Sequence, residues 1–256
     1  MSIDLKLITQ LREATGAGLG DCKAALVEAD GNLDKAIELM RKKGEIKAAK
    51  KADREVKNGA IAIAGDEKRC AVVALACETD FVSRGEEFQA IVKAMAEELL
   101  AKGEEAFKTY ATDTINDLVI KIGENIQIAG QGIYEGALVG RYLHANKKVA
   151  GVIVLSGGDV EAANDVAMQI AAMAPKWLKP EEVDADVQAK EKEIYTEQLK
   201  SEGKPEAMIE KILVGKLNKF YEENCLINQV FIKDDTKKIK DLLGEADVIA
   251  WARYNV

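Results

Sequence analysis

Proline, histidine and positive net charge are all scarce in this chain of 256 residues. Three prolines leave room for long uninterrupted helices, and the abundance of Ala, Lys and Glu points the same way. A single histidine, His144, gives no support to a His/Cys zinc set or to a Ser/His/Asp or Cys/His nucleophilic set. The four cysteines (Cys22, Cys70, Cys77, Cys225) form no CxxC pair, and Cys70 and Cys77 lie in or beside strand-like apolar runs. They read as reduced thiols in a cytosolic protein, so a cytoplasmic location is expected. No stretch approaches the roughly 20 apolar residues of a membrane span. The opening "MSIDLKLITQLREATG" is amphipathic and carries acids, unlike a signal peptide. A net charge of -8 argues against nucleic acid as the main partner, since phosphate binding needs concentrated Lys and Arg. The one basic cluster, "RKKGEIKAAKKADREVK" (Arg41 to Lys57), reads as a solvated helix end and linker.

What is present falls into three regimes. Residues 2 to about 43 read as three short helices. The first carries Ile3, Leu5, Leu7, Ile8 and Leu11 and stops at Gly16; the second stops at Gly31; the third has Asn32 as its N-cap and stops at Gly44. The middle changes to period two. Ala60 to Ala64, a Gly65-Asp66 turn and Ala71 to Cys77 read as a hairpin, followed by the helix "EEFQAIVKAMAEELLAKG". Three further strands, with turns at Gly136 and Asn146, lead into the helix "VEAANDVAMQIAAMAP". Gly59-Ala60-Ile61 matches Gly136-Ala137-Leu138, and "VVALAC" matches "VIVLSG", which suggests a duplicated α+β unit. Beyond Pro180, two charged helical arms flank Gly203-Lys204-Pro205. Val187, Ile194 and Leu199, then Met208, Ile209, Ile212, Leu213, Leu217 and Phe220, give each arm a sparse apolar stripe. That pattern reads as a projecting antiparallel helical hairpin. The end of the chain reads strand, helix, strand, returning to the sheet.

The stretch "CETDFVSRG" (Cys77 to Gly85) places an acid and a large aromatic where the chain should turn. Asp80 lacks a second acid at short spacing or a histidine, so acid–base catalysis is poorly supported. Glu78 alternates with Asp80 and could share its side, but two acids do not make a selective metal site. Two readings stay open: Phe81 packs under the next helix while Thr79 or Asp80 caps it, or Phe81 protrudes toward a partner. "TGAGLGDCK" (Thr15 to Lys23) has the glycines of a phosphate loop but follows a helix and is not GxxxxGK[ST]. It reads as a tight turn whose Leu19 has little around it. His144 reads as an exposed turn histidine, and Met168, Met173, Trp177 and Trp251 as core or local packing.

These segments together resemble the bacterial translation elongation factor Ts family. The resemblance rests on "LREATGAGLGDCKAALVEADGNLDKAIELMRKKG" (Leu11 to Gly44), "CETDFV", "KIGENIQI", "YLHANKKVAGVIVL", "AAMAPKWLKPEEV" and "NQVFIKDDTKKIKDLL", in order along almost the whole chain. It implies an α+β protein: a three-helix ubiquitin-associated-like domain (1–45), a charged linker (46–58), and a duplicated core with antiparallel sheets. The core halves would be 59–135 and 136–183 with 225–256, and 184–224 the hairpin. It implies a nucleotide exchange factor, not an enzyme, without cofactor or metal of its own. Its partner would be elongation factor Tu, GDP-bound and nucleotide-free, with no direct nucleic-acid or membrane partner. The resemblance allows a dimer or a heterotetramer with that partner. Thr79, Asp80, Phe81 and Val82 would approach the partner's magnesium site. Arg12, Gly16, Gly18, Leu19 and Gly20 would grip the same GTPase domain, and His144 would touch the partner elsewhere.

Overall fold

A computed structural model describes residues 4–256; Ile3, placed above on the first helix, lies outside the described residues. The chain is α+β with small antiparallel sheets and divides into two compact units. The first comprises Met1–Tyr134, Ala145–Val149 and Tyr254–Val256; the second comprises Glu135–His144 and Ala150–Arg253.

In the first unit, α1 (Leu5–Thr15), α2 (Leu19–Glu28) and α3 (Leu33–Lys51) form a bundle. Its core is built from Ile8, Leu11, Cys22, Ala25, Leu26, Ala36 and Met40. Asp4 and Asn32 cap α1 and α3, accepting from Lys6 N and Lys35 N at 3.0 Å. The helix α3 does not stop at Gly44 but continues to Lys51. Gly44 is buried in its interior because Ile120 packs where a Cβ would be. The basic cluster thus ends a helix. Lys43 and Lys47 pair with Glu28 and Asp21 at 2.5 and 3.0 Å.

The strands β1 (Asn58–Gly65) and β2 (Arg69–Cys77) pair antiparallel, with Ile61 opposite Ala74, and β2 is central beside β3 (Ile126–Glu135). A nearly unbroken apolar run suits a central strand covered on both faces, and β2 is buried over Cys70–Cys77. One face, with Ala71, Val73, Leu75 and Cys77, lies against Phe88, Val92, Met95 and Leu99 of α5 (Glu86–Ile122). The sequence expectation ended this helix at Gly103. There the backbone is left-handed, at φ 78°, but a helical stretch resumes and runs to Ile122. Between β2 and α5 sits the short helix α4 (Asp80–Arg84).

In the second unit, β4 (Leu138–Leu143) and β5 (Val149–Leu155) pair antiparallel, with β8 (Val248–Asn255) on the other side of β5. Small residues let α6 (Val160–Met173) lie close on this sheet. A Cβ at Gly140 or Gly151 would overlap the backbone of Ala163 or Ala167. The hairpin is α7 (Ala185–Ser201) and α8 (Glu206–Asn224), turning at Gly203 with φ 72°. Leu199, Ile209, Leu217 and Phe220 of the expected stripe are buried, whereas Met208 and Ile194 are exposed. Met173, expected in packing, is also exposed, while Met168 and Trp251 pack on the core of this unit. The end of the chain supplies β6 (Val230–Phe231), β7 (Asp234–Lys238), α9 (Ile239–Leu243) and β8. Buried Gln169 ties β6 to α6, donating to Val230 O and accepting from Ile232 N, both at 3.0 Å. All four cysteines are free and buried.

Candidate functional site

Sheet pairing of β2 ends at Cys77, opposite Asn58, and the chain must turn at once into α4. Thr79 makes that turn. Its backbone is extended (φ -117°, ψ 156°), and its Oγ1 accepts from Val82 N at 3.4 Å as the N-cap of α4. Asp80 in the first turn suits the positive helix end, and its Oδ2 pairs with Arg84 Nη2 at 3.2 Å. Ser83, buried, donates its hydroxyl to Asp80 O at 3.1 Å.

Inside this short helix, Val82 packs on the first unit's core while Phe81 is 86% exposed. The other phenylalanines (Phe88, Phe107, Phe220 and Phe231) are all buried. Burying such a side chain is worth about 1.5–3 kcal/mol, a stabilisation that Phe81 forgoes. The packed reading of Phe81 is therefore excluded: the ring protrudes into solvent, and the capping role belongs to Thr79.

The frame beneath α4 comes from residues the sequence did not single out. Gly123 ends α5 in a left-handed conformation at φ 82°, its N–H donating to Val119 O. That stop presents Glu124 and Asn125. Glu124 accepts from Glu78 N, Thr79 N and Thr79 Oγ1 at 3.0, 3.0 and 2.6 Å. Asn125, buried, donates its backbone N–H to Glu78 Oε1 at 2.6 Å and its amide to Arg54 O at 2.7 Å. The Asn125 N–H, helped by Arg54, holds the Glu78 carboxyl below the usual glutamate range. Glu78 is thus engaged away from Asp80. Among the described residues no three His, Cys, Asp or Glu side chains gather as a metal set. Asn58 donates to Glu78 O at 3.1 Å and Gln89 to Ser83 O at 3.3 Å, bracing the segment from β1 and α5. Burial, and then the negative charge of Glu124, push the Cys77 thiol up to about 11, so it is no nucleophile at neutral pH.

The other expected contact residues sit apart in the chain. Gly16, at φ 68°, ends α1 and donates its N–H to Arg12 O at 2.7 Å. Gly18 precedes α2, whose first residues, Leu19 and Gly20, are exposed, as is Arg12. Leu19 thus stands in solvent at a tight helix–helix turn, as the sequence suggested. His144 belongs to the second unit; it is exposed just past β4, with Nδ1 3.0 Å from Tyr142 Oη. Glu124 was not foreseen because its bonds span 45 residues of sequence; the only local signal is the glycine stop before it.

The result is a short helix, hydrogen-bonded from several sides, that holds one aromatic ring out in solvent. The family model described as Elongation factor TS matches residues 78–256. Proteins named Elongation factor Ts from Deinococcus radiodurans and a Hydrogenobaculum species are 41% and 44% identical, aligned over 98% and 94% of this chain and 99% and 93% of their own. One from a Nitratiruptor species is 41% identical over 100% of this chain and 93% of its own. The chain belongs to the elongation factor Ts family. It is therefore a translation elongation factor of the nucleotide-exchange kind, not an enzyme.

Proposed function

We propose that this chain binds elongation factor Tu in its GDP form, releases GDP by disturbing the magnesium and phosphate site, and holds the empty partner until GTP enters. The observation that carries this reading is Phe81, 86% exposed on a helix braced from several sides. A GTPase keeps its nucleotide through a phosphate-cradling loop and a bridging magnesium ion. Phe81 deforms the packing beside that ion, and Asp80 brings negative charge to a region already rich in it. Thr79 and Val82 set the shape of the segment. Arg12, Gly16, Gly18, Leu19 and Gly20 form a second contact with the same GTPase domain, and His144 a third elsewhere on the partner.

No bond-making chemistry is needed. By reciprocity, the factor weakens GDP as much as GDP weakens the complex. Each tenfold change is about 1.4 kcal/mol, so contacts of a few kcal/mol shift affinity by orders of magnitude. Exchange runs in either direction, and abundant GTP sets it. The same reading takes the N-terminal bundle as ubiquitin-associated-like and the two sheet-and-helix halves as copies of one module. It places segments 1–45, 46–58, 59–135, 136–183 with 225–256, and 184–224 in those roles, in the cytoplasm. In both halves a hairpin's second strand leads toward a helix that covers the sheet, which supports the duplication.

The test is to mix the protein with elongation factor Tu carrying fluorescent GDP, in excess unlabelled nucleotide. Release should accelerate in proportion to added protein until it saturates. Release at the spontaneous rate, however much is added, contradicts the proposal.

A further inference from the structure

Phe81 has a direction but no packing of its own to set it. With the ring in solvent, the backbone of α4 sets the direction of its Cα–Cβ bond and so the region the ring can sweep. Residues 78 and 79 have left the pairing of β1 and β2, so their N–H groups are not held by that ladder. One carboxylate collects them. Glu124 Oε2 takes Glu78 N and Thr79 N, and Oε1 takes the Thr79 hydroxyl, the group that also caps α4. Three donors converge on two oxygens, an arrangement that an ionised carboxylate satisfies fully. Glu124 is in turn fixed by the helix stop at Gly123, whose carbonyl takes Lys51 Nζ, and by buried Asn125 next to it.

We propose that Glu124 is the positioning residue of the exchange site: it sets the angle at which α4 presents Phe81, and so governs the rate of GDP release rather than the strength of binding. This rests on Phe81 acting as the wedge. A shift of about 1 Å in a positioned group can cost up to a hundredfold in rate. Loss of all three hydrogen bonds in Glu124→Ala should lower the saturating release rate by about tenfold, with a smaller change in the concentration needed to saturate. Glu124→Gln keeps one oxygen for the two backbone N–H groups and should recover most of the loss.

The deciding experiment is a double-mutant cycle on release of fluorescent GDP from elongation factor Tu, with Glu124→Ala measured alone and in a Phe81→Ala protein. The proposal expects Glu124→Ala to slow the parent but to add nothing once Phe81 is gone. Equal slowing in both backgrounds, or no slowing in the parent, overturns it. Should Phe81→Ala by itself leave release unchanged, the wedge reading fails first, and the cycle reports that separately. If melting shows Glu124→Ala to be unfolded, Thr79→Val removes the hydroxyl arm together with the cap on Val82 N and leaves both backbone N–H groups on Glu124; a smaller loss, again silent without Phe81, is expected, and a loss equal in both backgrounds overturns the proposal.

Discussion

At the scale of single residues, Glu78 shows how the segment before α4 is tied down by charge. Its carboxylate receives the Asn125 N–H at 2.6 Å and Arg54 at 3.3 Å, which lowers its pKa from the usual 4.5. A depressed folded-state value contributes stability above pH 4.5 and loses it as pH falls through the lower folded value. Glu78→Gln should therefore cost about 1 kcal/mol or less at pH 7, and that cost should fade in strong acid. Thermal melts of both proteins from neutral pH down to about pH 3 would check this, and a difference that grows on acidification would contradict it. The sequence drew attention to Thr79 to Val82 but could not tell a packed Phe81 from a protruding one. In a helix of five residues, period alone does not decide which side faces the core, and the decision lies with Val82 and Ser83 going in.

At the scale of elements, glycine had opposite meanings at two positions that looked alike. Gly44 reads as a helix stop yet sits inside α3, where it admits the side chain of Ile120. Gly103 reads as a stop and does break the backbone of α5, but helix resumes after it. Only tertiary contact separates the two cases, because residues 44 and 120 are far apart in sequence and leave no local mark. Gly44→Ala sets two effects against each other. Alanine gains about 1 kcal/mol of helix propensity, while its Cβ would lie 2.6 Å from Ile120 Cδ1 and 3.2 Å from Asn116 O. Overpacking of this kind costs about 1–3 kcal/mol, so a net loss is expected. Ile120→Val removes the offending Cδ1 and should restore part of the stability in the double variant. Denaturant titration of the four proteins measures the coupling; additive losses would show that α3 and α5 do not meet as described.

At the scale of the whole molecule, the order of segments was readable along the chain. Hairpin, helix, strands, helix, helical arms and a final strand all appear where the changes of hydrophobic period place them. The grouping was less readable. The N-terminal bundle belongs to the same compact unit as the first sheet, joined through α3 and α5, and Glu124 reaches back to Thr79 across 45 residues. The ion pairs among the described residues join partly or fully exposed side chains, and exposed pairs contribute little, so the apolar clusters of the two units hold the fold. On that scaffold the working part we propose is small: one exposed ring on one short helix.

The most direct measurement compares the parent with Phe81→Ala for two quantities, affinity for nucleotide-free elongation factor Tu and the saturating rate of GDP release from the loaded form. The account predicts a variant that melts like the parent and still binds, yet releases GDP at least about tenfold more slowly. A Phe81→Ala protein that discharges GDP as fast as the parent would contradict it.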